Sequence, residues 1–156
     1  MIVDNGASSF LALNSYIKEN EVLGILTDSG HSVYFHSVIT GGQVVADTAL
    51  GLRSLALGFP GAPIVVWLNP YFGEIRLDDR PFEEFKVYQE FSGQFHAVIT
   101  IPQGNKATLS KDLEILFAKR QSFATAINSS QSIVMRSRLS RYWNDLVSVV
   151  EQAAIA

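Results

Sequence analysis

The stretch that most constrains this 156-residue chain is Ile64-Val65-Val66-Trp67-Leu68, held between Pro63 and the pair Asn69-Pro70. Five consecutive apolar residues, β-branched and aromatic among them, leave no polar face for water. Such a run is the pattern of a strand buried on both sides, as in a parallel sheet. Parallel strands need crossover connections, so the surrounding chain must alternate strand with helix. Asn69 and Pro70 end the strand. A polar amide at the carboxyl end of a central strand stands where open α/β sheets bind ligands, and it can read a purine edge with both a donor and an acceptor. Asn-Pro is also ordinary turn chemistry, and the residues alone leave both readings open.

The flanking sequence supplies the alternation. Met1 to Val3 read as the end of a strand, with Asp4-Asn5-Gly6 turning out of it. A helical pattern in two pieces follows from about Ser9 to Ser29. His31 to Thr40 reads as a strand, Gly41-Gly42 as its turn, and Gln43 to Leu57 as a helix with Val45, Thr48, Leu52 and Leu55 on one face. Phe82, Phe85, Tyr88 and Phe91 recur every three residues and predict a short helix within an acidic segment. Phe95 to Ile101 is a further strand, ended by Pro102. Helices are predicted over Thr108–Arg120 and Phe123–Ile127, then a polar break over Asn128–Gln131, then a last helix from Ser132 towards Ala154. No internal repeat is read. The expected fold is a single α/β domain over residues 1–156, a mostly parallel sheet with helices on both faces. Residues 71–92 form an insertion in it and 132–156 a C-terminal helix.

Composition narrows the function classes. Hydrophobic residues at 47% and charged ones at 17% suit a folded domain with covered strands. A net charge of −3 gives no whole-chain signal for nucleic acid. The absence of cysteine excludes disulfides, thiolate metal sites and cysteine nucleophiles. No apolar run approaches the roughly 18 residues that span a bilayer, and Met-Ile-Val-Asp resembles no secretory signal, so the cytoplasm is the expected compartment.

Few residues carry chemistry by spacing alone. No Gly-x-x-x-x-Gly-Lys-Ser/Thr phosphate loop occurs. Gly41-Gly42 lies between a strand and a helix, where backbone amides can face an anion or simply make a tight turn. His31 and His36, five apart on one predicted strand, point to opposite faces and cannot share a metal. Seven of the twelve basic residues fall between Lys106 and Arg141. Arg136, Arg138 and Arg141 among them could share a helix face and touch DNA or an acidic partner, or form a solvated surface. Asp4, after an apolar strand and before a small turn, suits a magnesium-holding carboxylate or the cap of its own turn.

The ordered set is more specific than its parts. Ile-Val-Asp-Asn-Gly-Ala-Ser, then Val-Ile-Thr-Gly-Gly-Gln opening a helix, then Val-Val-Trp-Leu-Asn-Pro, then Val-Ile-Thr-Ile-Pro opening another, resemble the second half of a ParA/MinD-type P-loop ATPase. The closest versions are those encoded beside plasmid conjugal-transfer and stability functions. The resemblance runs from Ile2 to about Val150. It implies ATP and Mg²⁺ as cofactors, with Asp4 at the metal, Asn69 and Pro70 near the adenine, and Ile101, Pro102 and Gln103 in a loop beside the nucleotide. It implies a partial P-loop NTPase (Rossmann-like) fold serving plasmid transfer or maintenance. The family's lysine-bearing phosphate loop precedes the Asp and has no counterpart here, as expected of a truncated or mis-started product or of a chain whose missing half is supplied elsewhere. Without that loop most transition-state charge is unsupported, so ATP should bind weakly or not at all and not be hydrolysed usefully. Uncovered apolar strand edges or helix faces should then favour self-association. The alternative is a non-catalytic α/β adaptor that binds a protein partner, through the acidic segment Glu74 to Glu90 or the C-terminal helix, or DNA. A flavodoxin-like metabolic enzyme has the least support, since no nucleophile and base converge.

Overall fold

The computed structural model describes residues 1–130 and 132–153. Met1 to Gly6 have no regular secondary structure and are exposed. The strand expected at Met1–Val3 is therefore absent, because so short a segment offers few ladder hydrogen bonds and no described strand lies beside it. Helices α1 (Phe10–Glu19) and α2 (Val22–Asp28) follow, joined through Glu21 at a φ of 50°. Neither buries a residue fully; Phe10, Ile17 and Leu23 lean half-buried on the core beneath.

Strand β1 spans Phe35–Thr40, helix α3 Val45–Gly58 and strand β2 Ile64–Asn69. His31 lies before β1 and outside it, so the expected strand is shorter at its start and its two histidines are not on one strand. A hairpin comes next, β3 (Arg76–Leu77) with β4 (Arg80–Pro81). Its two-residue turn, Asp78-Asp79, takes positive φ at both positions (50° and 60°), the tight geometry that matches strand twist. A 3-10 turn over Phe82–Glu84 then leads into helix α4 (Lys86–Phe91). The aromatic period of three thus crosses two elements instead of one helix. Strand β5 is Phe95–Thr100, and helices α5 (Lys106–Ala118), α6 (Phe123–Ser129) and α7 (Ile133–Gln152) complete the chain. Gln131, in the predicted polar break, and Ala154, towards which the last helix was expected to run, lie outside the described residues.

The sheet has the order β1-β2-β5, with both pairings parallel. Ile64, Val65 and Val66 are each 0% exposed, so the central strand is enclosed on both faces as its unbroken apolar run requires. On one face Val45, Ala49, Leu52, Leu55 and Ala56 of α3 form the main core with Ile39, Ile64, Val66 and Leu68. Phe82, Phe85 and Val87 join it, so the segment read as an insertion supplies core side chains. On the other face α7 touches β5, but Val38 of β1 remains 47% exposed. The expected two-sided helix cover is incomplete over β1. A second, smaller core lies among α5, α6 and α7, around Leu109, Leu116, Ala126 and Leu139.

The two edge strands are near twins: Phe-His-Ser-Val-Ile-Thr in β1 and Phe-His-Ala-Val-Ile-Thr in β5. This short repeat corrects the reading of none. Each twin buries its isoleucine (Ile39 at 0%, Ile99 at 4%) and half-exposes its valine (Val38 at 47%, Val98 at 39%). Each has β2 on one side and no described strand on the other. The register nevertheless sets the twins on opposite faces: Ile39 stands beside Leu68, and Ile99 beside Trp67.

Candidate functional site

The carboxyl ends of β2 and β5 run into two loops that are tied together. The Asn69 side-chain Oδ1 accepts a hydrogen bond from the Tyr71 N–H at 3.1 Å, turning the chain sharply after the strand. Pro70 starts the short 3-10 turn that follows. Across the gap, the Ile101 N–H donates to the Leu68 carbonyl at 2.8 Å and carries the pairing one step past β5. Pro102 has no N–H to continue it. The Gln103 Nε2 then donates to the Pro70 carbonyl at 2.7 Å and locks the second loop onto the first. Asn105 caps α5, its Oδ1 accepting from the Ala107 N–H at 3.0 Å. The Tyr71 hydroxyl reaches Ser110 Oγ of α5 at 3.3 Å.

These loops, α5 and α7 line a half-open cavity of about 240 Å³. Asn69, Pro70, Ile101, Pro102 and Gln103, the residues singled out from sequence, all line it. Sequence reasoning missed Tyr71, Gly104, Lys106, Leu109, Ser110 and Tyr142, which line it too. Tyr71 and Gly104 were within reach as neighbours of Pro70 and Gln103. Tyr142 gave no signal, because only the packing of α7 brings it there. Small-molecule pockets usually measure about 300–1,000 Å³, so this space suits a single ring system. Asn69 lines this space, and among the described residues no hydrogen bond engages its Nδ2. Lys106 is the charged residue of the lining. Burial pushes the Tyr142 phenol above its ordinary pKa of 10.0.

Other sequence candidates fall elsewhere. Asp4 is exposed in the irregular first segment and does not line the cavity. Among the described residues no group of three or more His, Asp or Glu side chains could hold a metal. Gly41 and Gly42 do not face an anion: their N–H groups donate to the carbonyls of Asn69 (3.0 Å) and Glu74 (3.3 Å). A Cβ on Gly41 would stand 2.0 Å from the Gly73 carbonyl oxygen, so glycine is there for close backbone approach. The Trp67 Nε1–H donates to His36 Nδ1 at 3.0 Å, and burial lowers the His36 pKa.

The arginines of α7 do not form one basic face. Arg138 turns inward to Asp112 of α5, with Nε to Oδ2 at 2.5 Å and Nη2 to Oδ1 at 2.9 Å. That hydrogen bond raises the guanidinium pKa further. Asp112 is only 5% exposed. Arg136 donates to the Ser130 carbonyl at 3.5 Å. Arg136 and Arg141 then lie about 140° apart around the helix, too far to make one patch. A DNA contact through all three arginines, one of the readings left open, would lack Arg138, which is held by Asp112.

Comparison with known proteins gives two relatives, both Protein TraL from Escherichia coli. One is 39% identical over 157 aligned residues and the other 36% identical over 157. Each alignment takes in 99% of this chain and 65% of the relative, so the chain spans less than two thirds of the length of the curated relatives it matches. No family model matches the chain, and no solved structure matches it.

Proposed function

We propose that this chain serves plasmid conjugal transfer as an adenine-binding segment similar to the later half of ParA/MinD ATPases. The observation that carries the reading is the convergence of Asn69, Pro70, Ile101, Pro102 and Gln103 on one ring-sized cavity at the carboxyl ends of adjacent parallel strands. The likeness to proteins named TraL supports a place in transfer. In this reading Asn69 offers its free amide to the base edge, and Pro70, Ile101 and Pro102 supply apolar walls. Gln103 holds the two loops at a fixed width. Among the described residues Asp4 belongs to no group of three or more metal-ligating side chains, so no step is routed through a magnesium ion there. The chain's part is to recognise the base; charge stabilisation on a transferring phosphoryl group needs donors that these residues do not gather.

The expected affinity is low. About ten ring atoms at roughly 0.3–0.5 kcal/mol each give some 3–5 kcal/mol, a millimolar dissociation constant. Titration calorimetry or saturation-transfer NMR with adenosine and guanosine tests it. Adenosine should bind better, and Asn69→Ala should erase the preference. Equal binding of the two nucleosides, or an unchanged preference in Asn69→Ala, would overturn the reading. The second reading, an adaptor that binds a protein, draws on the half-exposed valines of the two outer strands, Val38 and Val98.

A further inference from the structure

One wall of the cavity is built by the helical layer. Leu109 and Asp112 lie three apart on α5, and Arg138 and Tyr142 four apart on α7, so each pair stacks along one face of its helix. Leu109 and Tyr142 line the cavity; Asp112 and Arg138 meet beside them, one turn along. Their contact is bidentate, with two guanidinium nitrogens on two carboxylate oxygens. A planar fork of this kind fixes rotation as well as distance, which a lysine cannot do. Leu139, next to Arg138 and 0% exposed, anchors the same turn of α7 in the second core. Tyr142 packs on Phe123 at 6.2 Å between ring centroids and also lines the cavity.

We infer that the Asp112–Arg138 pair is a positioning device for Tyr142, and that Tyr142 is a ligand-contacting residue whose ring covers a base bound in the cavity. The inference rests on the reading of the cavity as an adenine site. It adds that affinity there is set from inside the helical layer, by a pair that never touches the ligand.

The test uses the full chain carrying ¹³C-labelled tyrosine, with the Tyr142 ring resonance assigned, and adenosine as the probe. Loss of the base–aromatic stack in Tyr142→Ala should weaken adenosine by about tenfold, while Tyr142→Phe, which keeps the ring, should stay close to wild type. Arg138→Lys should shift the Tyr142 resonance without ligand, leave the Tyr34 resonance in place, and weaken adenosine less than Tyr142→Ala does. If the wild type binds adenosine and Tyr142→Ala binds it equally well, the inference fails while the adenine reading stands. If the wild type shows no adenosine binding, the adenine reading fails, and Tyr142 loses its proposed role with it. The positioning role is still decided by the ligand-free resonance: unmoved in a folded Arg138→Lys, it is refuted. Should Arg138→Lys not fold, Asp112→Glu, which keeps both charges but moves the carboxylate, is read the same way.

Discussion

The main core and the helical core solve the same problem with different materials. The main core is hydrocarbon and aromatic throughout: strand residues, one face of α3, and Phe82 and Phe85 from the segment before α4. The helical core of α5, α6 and α7 is smaller and has at its side Asp112, the one buried charged or polar side chain among the described residues. Area burial is tolerant of small displacements, whereas a bidentate ion pair holds one geometry. The difference suggests where rigidity is spent: the sheet is held by bulk, and the helices by a specific contact next to the cavity. Each region also has its own tryptophan, Trp67 on β2 and Trp143 on α7, so variants retaining one of the two can report the regions separately.

The largest effects should come from cavities in the two cores. Leu52 and Leu139 are both 0% exposed, and truncation of either to alanine should cost about 2–5 kcal/mol. Leu52→Ala is expected to lower the denaturant midpoint seen by both tryptophans, because the helical layer rests on the sheet. Leu139→Ala should lower the Trp143 midpoint ahead of the Trp67 midpoint. Coincident transitions in Leu139→Ala would merge the two cores into one cooperative unit and break the comparison.

Next in size is an asymmetry within the ion pair. The Arg138 side chain is 34% exposed and that of Asp112 only 7%. Removing Asp112 leaves a guanidinium that can reach water; removing Arg138 leaves a buried carboxylate without its partner. Arg138→Ala should therefore lower the midpoint reported by Trp143 more than Asp112→Ala does. The reverse order would show that Asp112 has a solvent path of its own.

Much of the main core was readable from the chain, and the reason is local. Ile64 to Leu68 has no polar face, and α3 repeats its apolar residues at helical spacing, so burial follows from pattern alone. The strand-end residues Asn69 and Pro102 were readable because strands and prolines mark their own ends. The helical core was readable as helices but not as a wall of the cavity, since nothing near Tyr142 in sequence points to Asn69. Arg138 looked like surface charge for the same reason; its partner lies on another helix. Asp4 differs: its place was read from a strand at Met1–Val3 that does not form, and it lies in an exposed irregular segment.

Smaller, and opposite in sign for the two regions, are the effects of pH. Burial holds the His36 pKa below its ordinary 6.5, so its contribution is present above that pH and is lost as pH falls through the lowered value. Protonation at Nδ1 would also remove the acceptor for the Trp67 N–H. Burial holds the Tyr142 phenol above 10.0, so its contribution is present below that pH and is lost as pH rises through the raised value. Denaturant midpoints should accordingly fall first at Trp67 in acid and first at Trp143 in alkali. His36→Gln should flatten the acid limb, and Tyr142→Phe the alkaline one. If one tryptophan leads at both extremes, the regions do not titrate independently.

The smallest effect concerns what joins the regions. The Tyr71 hydroxyl and Ser110 Oγ, 3.3 Å apart and exposed, link the loop after β2 to α5. An intramolecular hydrogen bond contributes about 0.5–1.5 kcal/mol net, and an exposed one at this length belongs at or below the lower end. Tyr71→Phe keeps the ring and its edge contact with Phe72 while removing only that link. It should therefore leave the Trp67 midpoint within error and widen the gap between the Trp67 and Trp143 transitions by no more than a few tenths of a kcal/mol. A larger separation would mean that the hydroxyl pair is a main tether of the helical layer, and the cavity between the regions would then be held open or shut by a single surface contact. No separation at all would place the tether in the packing of α7 against β5.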